Sequence, residues 1–413
     1  MTVYPIKQPI SGSIQVPPDK SISHRALILG AIAYGNTKIH NLLLSEDVMA
    51  TINCLRQLGV EISMGNPVIV HGKGLYGLSA SKEPLCCGNS GTTMRLLAGI
   101  LAAQPFTTIL TGDKSLQTRP MQRIISPLTL MGASINSNDG KAPLVICGSV
   151  LKPITYHIPV QSAQVKSAIQ LAGLYVAFPS IITGAHMVRN HTEVMLKHMQ
   201  KDNKLYAAEI NIPGDISSAA FFMVLGLLHA DEGIAITKVG LNPTRTAIIT
   251  ALKAMGGDVQ VVSQSVQSGE VVGDVVVKKS SLKPLQITKA TAAMLIDEIP
   301  ILAVAAAFAD GTSTFTGLAE LRTKETDRIH TISTELSKLG IDIKPTFDGM
   351  IITGKKPIDI AKLDSHGDHR IAMAAAIAAT MASEPITIEN ADCVNISYPN
   401  FFKDMERFVQ LSK

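Results

Sequence analysis

The sequence predicts an α+β fold that repeats one supersecondary unit six times, and three observations carry that expectation. First, six polar stretches open directly into apolar, small-residue segments that read as buried helices: Asp19-Lys20-Ser21, Gly88-Asn89-Ser90-Gly91, Ser162-Ala163-Gln164, Gly214-Asp215-Ile216-Ser217-Ser218, Asp297-Glu298 and Gly367-Asp368-His369-Arg370. Second, β-rich segments lie between them without a dinucleotide-binding fingerprint. Third, second helices recur, and several close on Leu58-Gly59, Met131-Gly132, Met255-Gly256 or Leu339-Gly340, where glycine supplies a left-handed cap before a strand. The unit reads as strand, helix, strand, helix and a pair of strands. By subtraction of positions the openings are about 69, 74, 52, 83 and 70 residues apart, so one unit is some twenty residues short.

In order along the chain, the first opening leads into residues 26–33, a second helix over 46–58 and a strand over 67–71. The second leads into 96–103, a strand at 107–111, a helix at 121–131 and a strand at 143–147. The third follows a strand at 154–159 and continues through a strand at 181–185 and a helix at 192–200. That helix runs into Lys201-Asp202-Asn203-Lys204 and one strand ending at Pro213, so a hairpin is missing there. Removing a surface hairpin is energetically tolerable. The fourth unit carries 219–228, a strand at 233–239, a helix at 246–255 and a strand at 273–277. The fifth carries 301–309, a strand at 313–317 and a helix at 326–339, and the sixth an all-small helix at 371–379.

A length of 413 residues and 46% apolar content imply two or three domains with large cores. The absence of Trp and the few other aromatics disfavour stacking platforms for single-stranded nucleic acid. A net charge of +4 is too small to mark a polyanion binder, so anion affinity must come from local clusters. Five cysteines without a C-x-x-C pair fit a reduced, cytoplasmic chain. Residues 1–20 lack the apolar core of a signal peptide, and the apolar runs fall short of the roughly 20 residues that span a bilayer. No membrane partner is expected.

The polar openings hold the chemistry. Helix N-termini carry partial positive charge and free N–H donors, so several aimed at one place make an anion site. Lys20-Ser21-Ile22-Ser23-His24-Arg25 supplies a mobile point charge, a planar bidentate donor and hydroxyls, although a solvated helix start would look the same. Its spacing is not that of a nucleotide P-loop. Gly88 to Arg95 lets a ligand approach the backbone, or is a plain capped turn. Arg119 adds a cation beside Pro120, read as the start of the next helix. Lys324 and Arg328, four apart, would share a helical face, as a salt-bridged surface helix would also arrange them. Asp297-Glu298 is either an acidic cap or a general base. His366 and His369 lack a third metal ligand, so no metal is expected.

Taken together, these motifs resemble the 5-enolpyruvylshikimate-3-phosphate synthase family. The matching strings are D-K-S-I-S-H-R-A, G-N-S-G-T-T-M-R-L, R-P-M, S-A-Q-V-K-S-A, R-N-H-T-E, G-D-I-S-S-A-A-F-F, D-E-I-P-I-L-A-V-A-A-A-F-A, K-E-T-D-R and G-D-H-R-I-A-M-A, in family order from residue 19 to 374. The resemblance implies a two-domain, inside-out α/β barrel-like enolpyruvyl transferase fold, with six βαβαββ repeats, three per domain, one shortened here. Domains are expected over 18–213 and over 1–17 plus 214–413, with ligands in the cleft between them. The implied reaction transfers the enolpyruvyl group of phosphoenolpyruvate to the 5-hydroxyl of shikimate 3-phosphate and releases phosphate. No cofactor is implied, and the family precedent is a monomer.

By motif match, Lys20, Ser21, Arg25, Ser162, Ala163, Gln164, Arg189, Asp297 and Lys324 form the shikimate 3-phosphate shell. Lys20, Gly91, Arg119, Arg328 and Arg370 hold phosphoenolpyruvate, with Asn89, Thr92 and His369 in support. Asp297 is the candidate base at the 5-hydroxyl and Glu325 the proton carrier at the methylene carbon, with Lys20 assisting phosphate departure and His369 tuning Glu325. Departures are Pro18 for a usual Gly, Ala163 for a Ser, Glu320 for an Asn of the enteric branch, and Ile396 for that branch's Lys. Gly91 keeps the room that the inhibitor glyphosate uses in the family, while Leu96 replaces a family Pro. Two other readings stay open: a UDP-N-acetylglucosamine enolpyruvyl transferase, whose loop before Arg119 would usually carry a reactive Cys or Asp and here offers only Asp113, and a catalytically inactive phosphosugar-binding relative.

Overall fold

The computed structural model describes residues 1–412 except 186, 187, 355–357 and 360. Each of the six polar openings starts a helix: α1 (Lys20–Ile32), α2 (Gly91–Leu101), α3 (Ala163–Ala172), α4 (Ile216–His229), α5 (Ile299–Ala307) and α6 (His369–Ala379). Five are capped by the short polar side chain before them. Asp19, Ser90, Ser162, Asp215 and Asp368 accept from the backbone N–H of Ile22, Thr93, Val165, Ser217 and Arg370. Such oxygens satisfy amides that the helix itself leaves unpaired. The sixth differs: Glu298 occupies the cap position of α5, but its side chain makes no capping bond. Along α4, α5 and α6 every residue is buried, so these helices have no polar stripe.

Five four-stranded sheets share one order, a parallel pair extended by two antiparallel strands. In the second repeat, Leu85–Cys86 runs parallel to Thr107–Thr111, and the hairpin of Ser134–Asn138 and Lys141–Cys147 completes the sheet. In the sixth, the completing strands are Thr2–Val3 and Leu411–Ser412, from the two ends of the chain. The third repeat keeps only its parallel pair, Thr155–His157 with Ile181–Thr183. Where the other repeats place a hairpin it has two-residue strands, Gln200–Lys201 and Lys204–Leu205, paired to each other. Asp202 and Asn203 make the turn at positive φ, which short polar side chains tolerate. Among the described residues no sheet closes into a barrel.

Two strands change places relative to their sequence position. Ser11–Ile14 precedes α1 but runs parallel to Gly233–Gly240, and Glu209–Asn211 precedes α4 but runs parallel to Tyr34–His40. The chain forms two compact units, each with its own apolar core. The N-unit is Pro18–Ile212 with Val266–Glu270, and the C-unit is Met1–Pro17, Pro213–Ser265 and Val271–Lys413. Val266–Glu270 is the tip between strands Asp258–Gln267 and Glu270–Lys278. It packs on the second helix of the short repeat, His191–Met199, where Glu270 meets His191 Nδ1 at 2.7 Å.

Within the N-unit, α2 and α3 approach closely because Gly99 has no side chain. A Cβ there would lie 2.4 Å from the carbonyl oxygen of Ala168. Gly99→Ala is therefore expected to destabilise the N-unit by about 1–3 kcal/mol through overpacking against backbone. Urea unfolding with an unchanged midpoint would contradict this.

Candidate active site

In the N-unit the polar side chains gather at the starts of three helices. Lys20 is the first residue of α1, and its Nζ donates to Asp47 Oδ2 at 2.8 Å. Arg25, one turn on, is buried and pinned through three groups: Nε to Thr192 Oγ1 at 2.7 Å, Nη2 to Ser167 Oγ at 2.8 Å, and Nη1 to the Ser21 carbonyl at 2.9 Å. Arg189 Nη1 reaches Ser21 Oγ at 3.3 Å. Gly91 begins α2, and a Cβ built on it would lie 2.8 Å from Arg95 Nη1 and 3.7 Å from Arg119 Nη1. The bare backbone thus lies beside two guanidinium groups, and a helix N-terminus with cations beside it favours an anion.

Arg119 is aimed by Asn89, with Nη2 to Oδ1 at 2.5 Å and Nη1 to the Asn89 carbonyl at 3.2 Å. Asn89 is itself held by Asp113 at 2.8 Å. The next helix starts at Gln122, two residues beyond Pro120, so Pro120 is not its first residue as expected. Ser162 caps α3, Ala163 follows, and Gln164 ties α3 to α2. Its Oε1 accepts from Arg95 Nη1 at 2.6 Å, and its Nε2 donates to Thr92 Oγ1 at 3.0 Å.

The C-unit gathers the remaining residues at the starts of α5 and α6. Arg328 is fully buried and faces three carboxylates. It forks onto Asp368, with Nε to Oδ2 at 2.7 Å and Nη2 to Oδ1 at 3.1 Å; Nη2 also meets Glu325 Oε2 at 2.7 Å, and Nη1 lies 3.7 Å from Asp297 Oδ1. Burial alone would lower the guanidinium pKa, yet Asp368, Glu325 and Asp297 together raise it above its usual value. Arg370 Nη1 donates to the Asp297 carbonyl at 2.9 Å, and its Nη2 lies 3.9 Å from Asp297 Oδ2. His369 is buried as the first residue of α6.

The helix expected over 326–339 begins only at Arg328, capped by Asp327. Lys324 stands in extended backbone after the turn Ala319–Thr323, so Lys324 and Arg328 do not share a helical face. Asp327 and Arg322 fix that break, with a 2.6 Å pair and two bonds from Arg322 to the backbone of Thr346 and Phe347. Lys324 pairs instead with Glu320 at 3.4 Å.

Three residues of this machinery escaped the sequence reading of the site: Asp47, Arg95 and Asp368. Arg95 and Asp368 lie inside quoted motifs, so a rule that every buried charge needs a stated partner would have found them. Asp47 had no such signal, because its pairing with Lys20 is made across 27 positions.

The fold and these clusters define a class: a six-repeat α+β protein with basic side chains gathered at helix N-termini. The family profile described as EPSP synthase (3-phosphoshikimate 1-carboxyvinyltransferase) matches residues 5–405, and the chain belongs to that family. A 3-phosphoshikimate 1-carboxyvinyltransferase of Thermoanaerobacter sp. is 47% identical, covering 97% of this chain and 98% of its own. One of Citrifermentans bemidjiense is 45% identical, with 99% of each chain covered. The solved EPSP synthase of Acinetobacter baumannii superposes with a TM-score of 0.86 at 41% identity, covering 100% of this chain and 99% of that one. The enolpyruvyl transferase NikO of Streptomyces tendae shares the fold, with a TM-score of 0.78 at 14% identity, covering 99% of this chain and 97% of that one.

His24, on α1 beside Lys20 and Arg25, contacts Thr51 Oγ1 at 2.7 Å. Burial, then Lys20 and Arg25, hold its pKa well below the ordinary value, with Asp19 opposing. Below about pH 6.5 the unfolded chain gains a proton on this ring that the folded one refuses. Its contribution is therefore present above that pH and lost as pH falls. His24→Gln is expected to show a smaller drop in urea midpoint between pH 7.5 and 5.5 than the parent; an equal drop would refute the assignment.

Proposed function

We propose that this chain transfers the enolpyruvyl group of phosphoenolpyruvate to the 5-hydroxyl of shikimate 3-phosphate, releasing inorganic phosphate. The observation that carries the reading is a pair of anion-ready helix-terminus clusters in one chain, one of which holds three carboxylates against a buried arginine. Membership of the EPSP synthase family supplies the substrate pair. Shikimate 3-phosphate takes Lys20, Ser21, Arg25, Ser162, Ala163, Gln164, Arg189, Asp297 and Lys324. Phosphoenolpyruvate takes Lys20, the Gly91 backbone, Arg119, Arg328 and Arg370. Asn89 aims Arg119, and Thr92 aims Gln164. Both clusters serve one reaction, in a monomer that works in the cytoplasm.

The carboxylate of phosphoenolpyruvate displaces Glu325 from Arg328, and a carboxylate that loses its cation takes up a proton more readily. The 5-hydroxyl oxygen then bonds to C2 of phosphoenolpyruvate, giving its proton to Asp297, while Glu325 delivers a proton to C3. In the tetrahedral intermediate the C2–O bond to phosphate breaks, Glu325 removes a proton from C3, and Lys20 protonates the departing phosphate. Charge develops beside fixed cations and helix ends, which is where such a site lowers a barrier.

Phosphate release from phosphoenolpyruvate is expected with shikimate 3-phosphate and not with UDP-N-acetylglucosamine. Release with the nucleotide sugar alone would make the other transferase correct. Asp297→Ala should lose about 10²–10⁴ in turnover, the usual worth of a general base, while still binding shikimate 3-phosphate by calorimetry. Near-normal turnover in that variant would remove Asp297 from the mechanism.

A further inference from the structure

Beside Asp297 the chain turns a second carboxylate the other way. Asp297 faces Arg328 and Arg370, whereas Glu298 is buried toward the start of α4. There, Ser217 Oγ donates to Glu298 Oε1. Arg245 Nη2 donates to the same Ser217 oxygen at 2.6 Å and to Asp215 Oδ1 at 3.4 Å, and lies 3.8 Å from Glu298 Oε1. All four side chains are buried. Placing two carboxylates and a guanidinium away from water costs several kcal/mol per ion before their attraction is counted, and apolar residues of similar volume often serve stability as well. Stability alone is a poor reason for this cluster.

Register is a better one. α4 and α5 pack together, both are buried all round, and α5 is wholly apolar while α4 is so between its first-turn serines and His229. A helix with an amphipathic stripe is fixed in rotation by the stripe; one that is greasy on every side can turn or slide with little change in buried area. A directional polar contact at its first turn removes that freedom, the best-attested use of a buried polar group. Glu298 is the cap residue of α5, yet it forgoes the capping bond and spends its side chain on Ser217.

We propose that Glu298, through Ser217 and Arg245, is the positioning residue that sets the rotation of α5 and so aims Asp297 between Arg328 and Arg370. The inference rests on Asp297 being the base. Glu298 touches no substrate in this account; it acts through the one peptide link that joins it to Asp297.

The test compares Glu298→Ala, Glu298→Gln, Ser217→Ala and Asp297→Asn in the full-length protein at a temperature where each is folded, reading kcat, KM and the calorimetric Kd of shikimate 3-phosphate. Misplacing a reacting group by an ångström costs on the order of 100-fold, so Glu298→Ala and Ser217→Ala are expected to lose about 10- to 100-fold in kcat with a much smaller change in Kd, since Asp297 is only one of nine residues assigned to that ligand. Glu298→Gln keeps an acceptor oxygen for Ser217 and is expected to recover most of that loss. A structural role alone would lower thermal stability without this split or rescue. Turnover kept in Glu298→Ala while Asp297→Asn is dead overturns the positioning role. Turnover kept in Asp297→Asn overturns the base assignment and the inference resting on it. Should Glu298→Ala not fold, Ser217→Ala decides alone, since all three charges of the cluster remain in it.

Discussion

Cations gathered at helix starts repel one another, and that self-repulsion constrains everything around them in each unit. This chain answers with carboxylates of two kinds. Asp368 forks onto Arg328 with both partners almost sealed from water, at 0% and 2% exposure, so that pair cannot be exchanged without leaving a buried charge alone. It is scaffolding. Lys324 with Glu320, at 24% and 20% exposure and 3.4 Å, is a looser pair that water reaches, worth far less. Lys20 with Asp47 stands between these limits. The permanent pairs fix where cations point, and the loose ones offset part of the remaining charge within each unit.

The same economy governs the helices. A cluster of helix N-termini works only if the helices lie side by side, and close approach demands small residues on every face. Gly99 against the Ala168 carbonyl is the tightest expression of it, and Gly226 lets α4 come equally close to the strand residue Val277. Small, uniformly apolar helices pack densely but carry little orientational information. Polar contacts at their first turns then fix rotation, whether as the Asp and Ser caps of five helices or as the Glu298 to Ser217 link of the sixth.

Much of this was legible in the sequence, for a physical reason. Helix starts are written locally, in a polar cap followed by apolar residues, and helix ends in a left-handed glycine, so all six opening helices and the shortened third repeat could be read from spacing. Relations between distant segments were not. Nothing local tells Ser11–Ile14 to pair with Gly233–Gly240 rather than to stay with α1, because a parallel pair is chosen by what buries both its faces. The helix wrongly extended back to residue 326 failed similarly: Lys324 and Arg328 have helical spacing, but Arg322 anchors the turn to backbone 24 and 25 positions away. Asp47 and Arg245 matter through partners that only the fold supplies.

The shortened repeat keeps the parts of the unit that carry the proposed substrate residues. Its two helices and parallel strand pair survive, and they supply Ser162, Gln164 and Arg189 together with Ser167 and Thr192, which fix the Arg25 guanidinium from two elements at once. The lost hairpin would have extended the sheet beyond Ile181–Thr183, and in the four repeats that own such a hairpin it supplies no residue of the proposed substrate shells. Part of the surface it would have covered on His191–Met199 is taken by the tip Val266–Glu270, whose Glu270 holds His191, one residue from Thr192. The third repeat therefore has less sheet than its sisters, while the chain of contacts ending on Arg25 is whole. Loss of either hydroxyl, Ser167 or Thr192, would cut that chain more directly than loss of the entire hairpin.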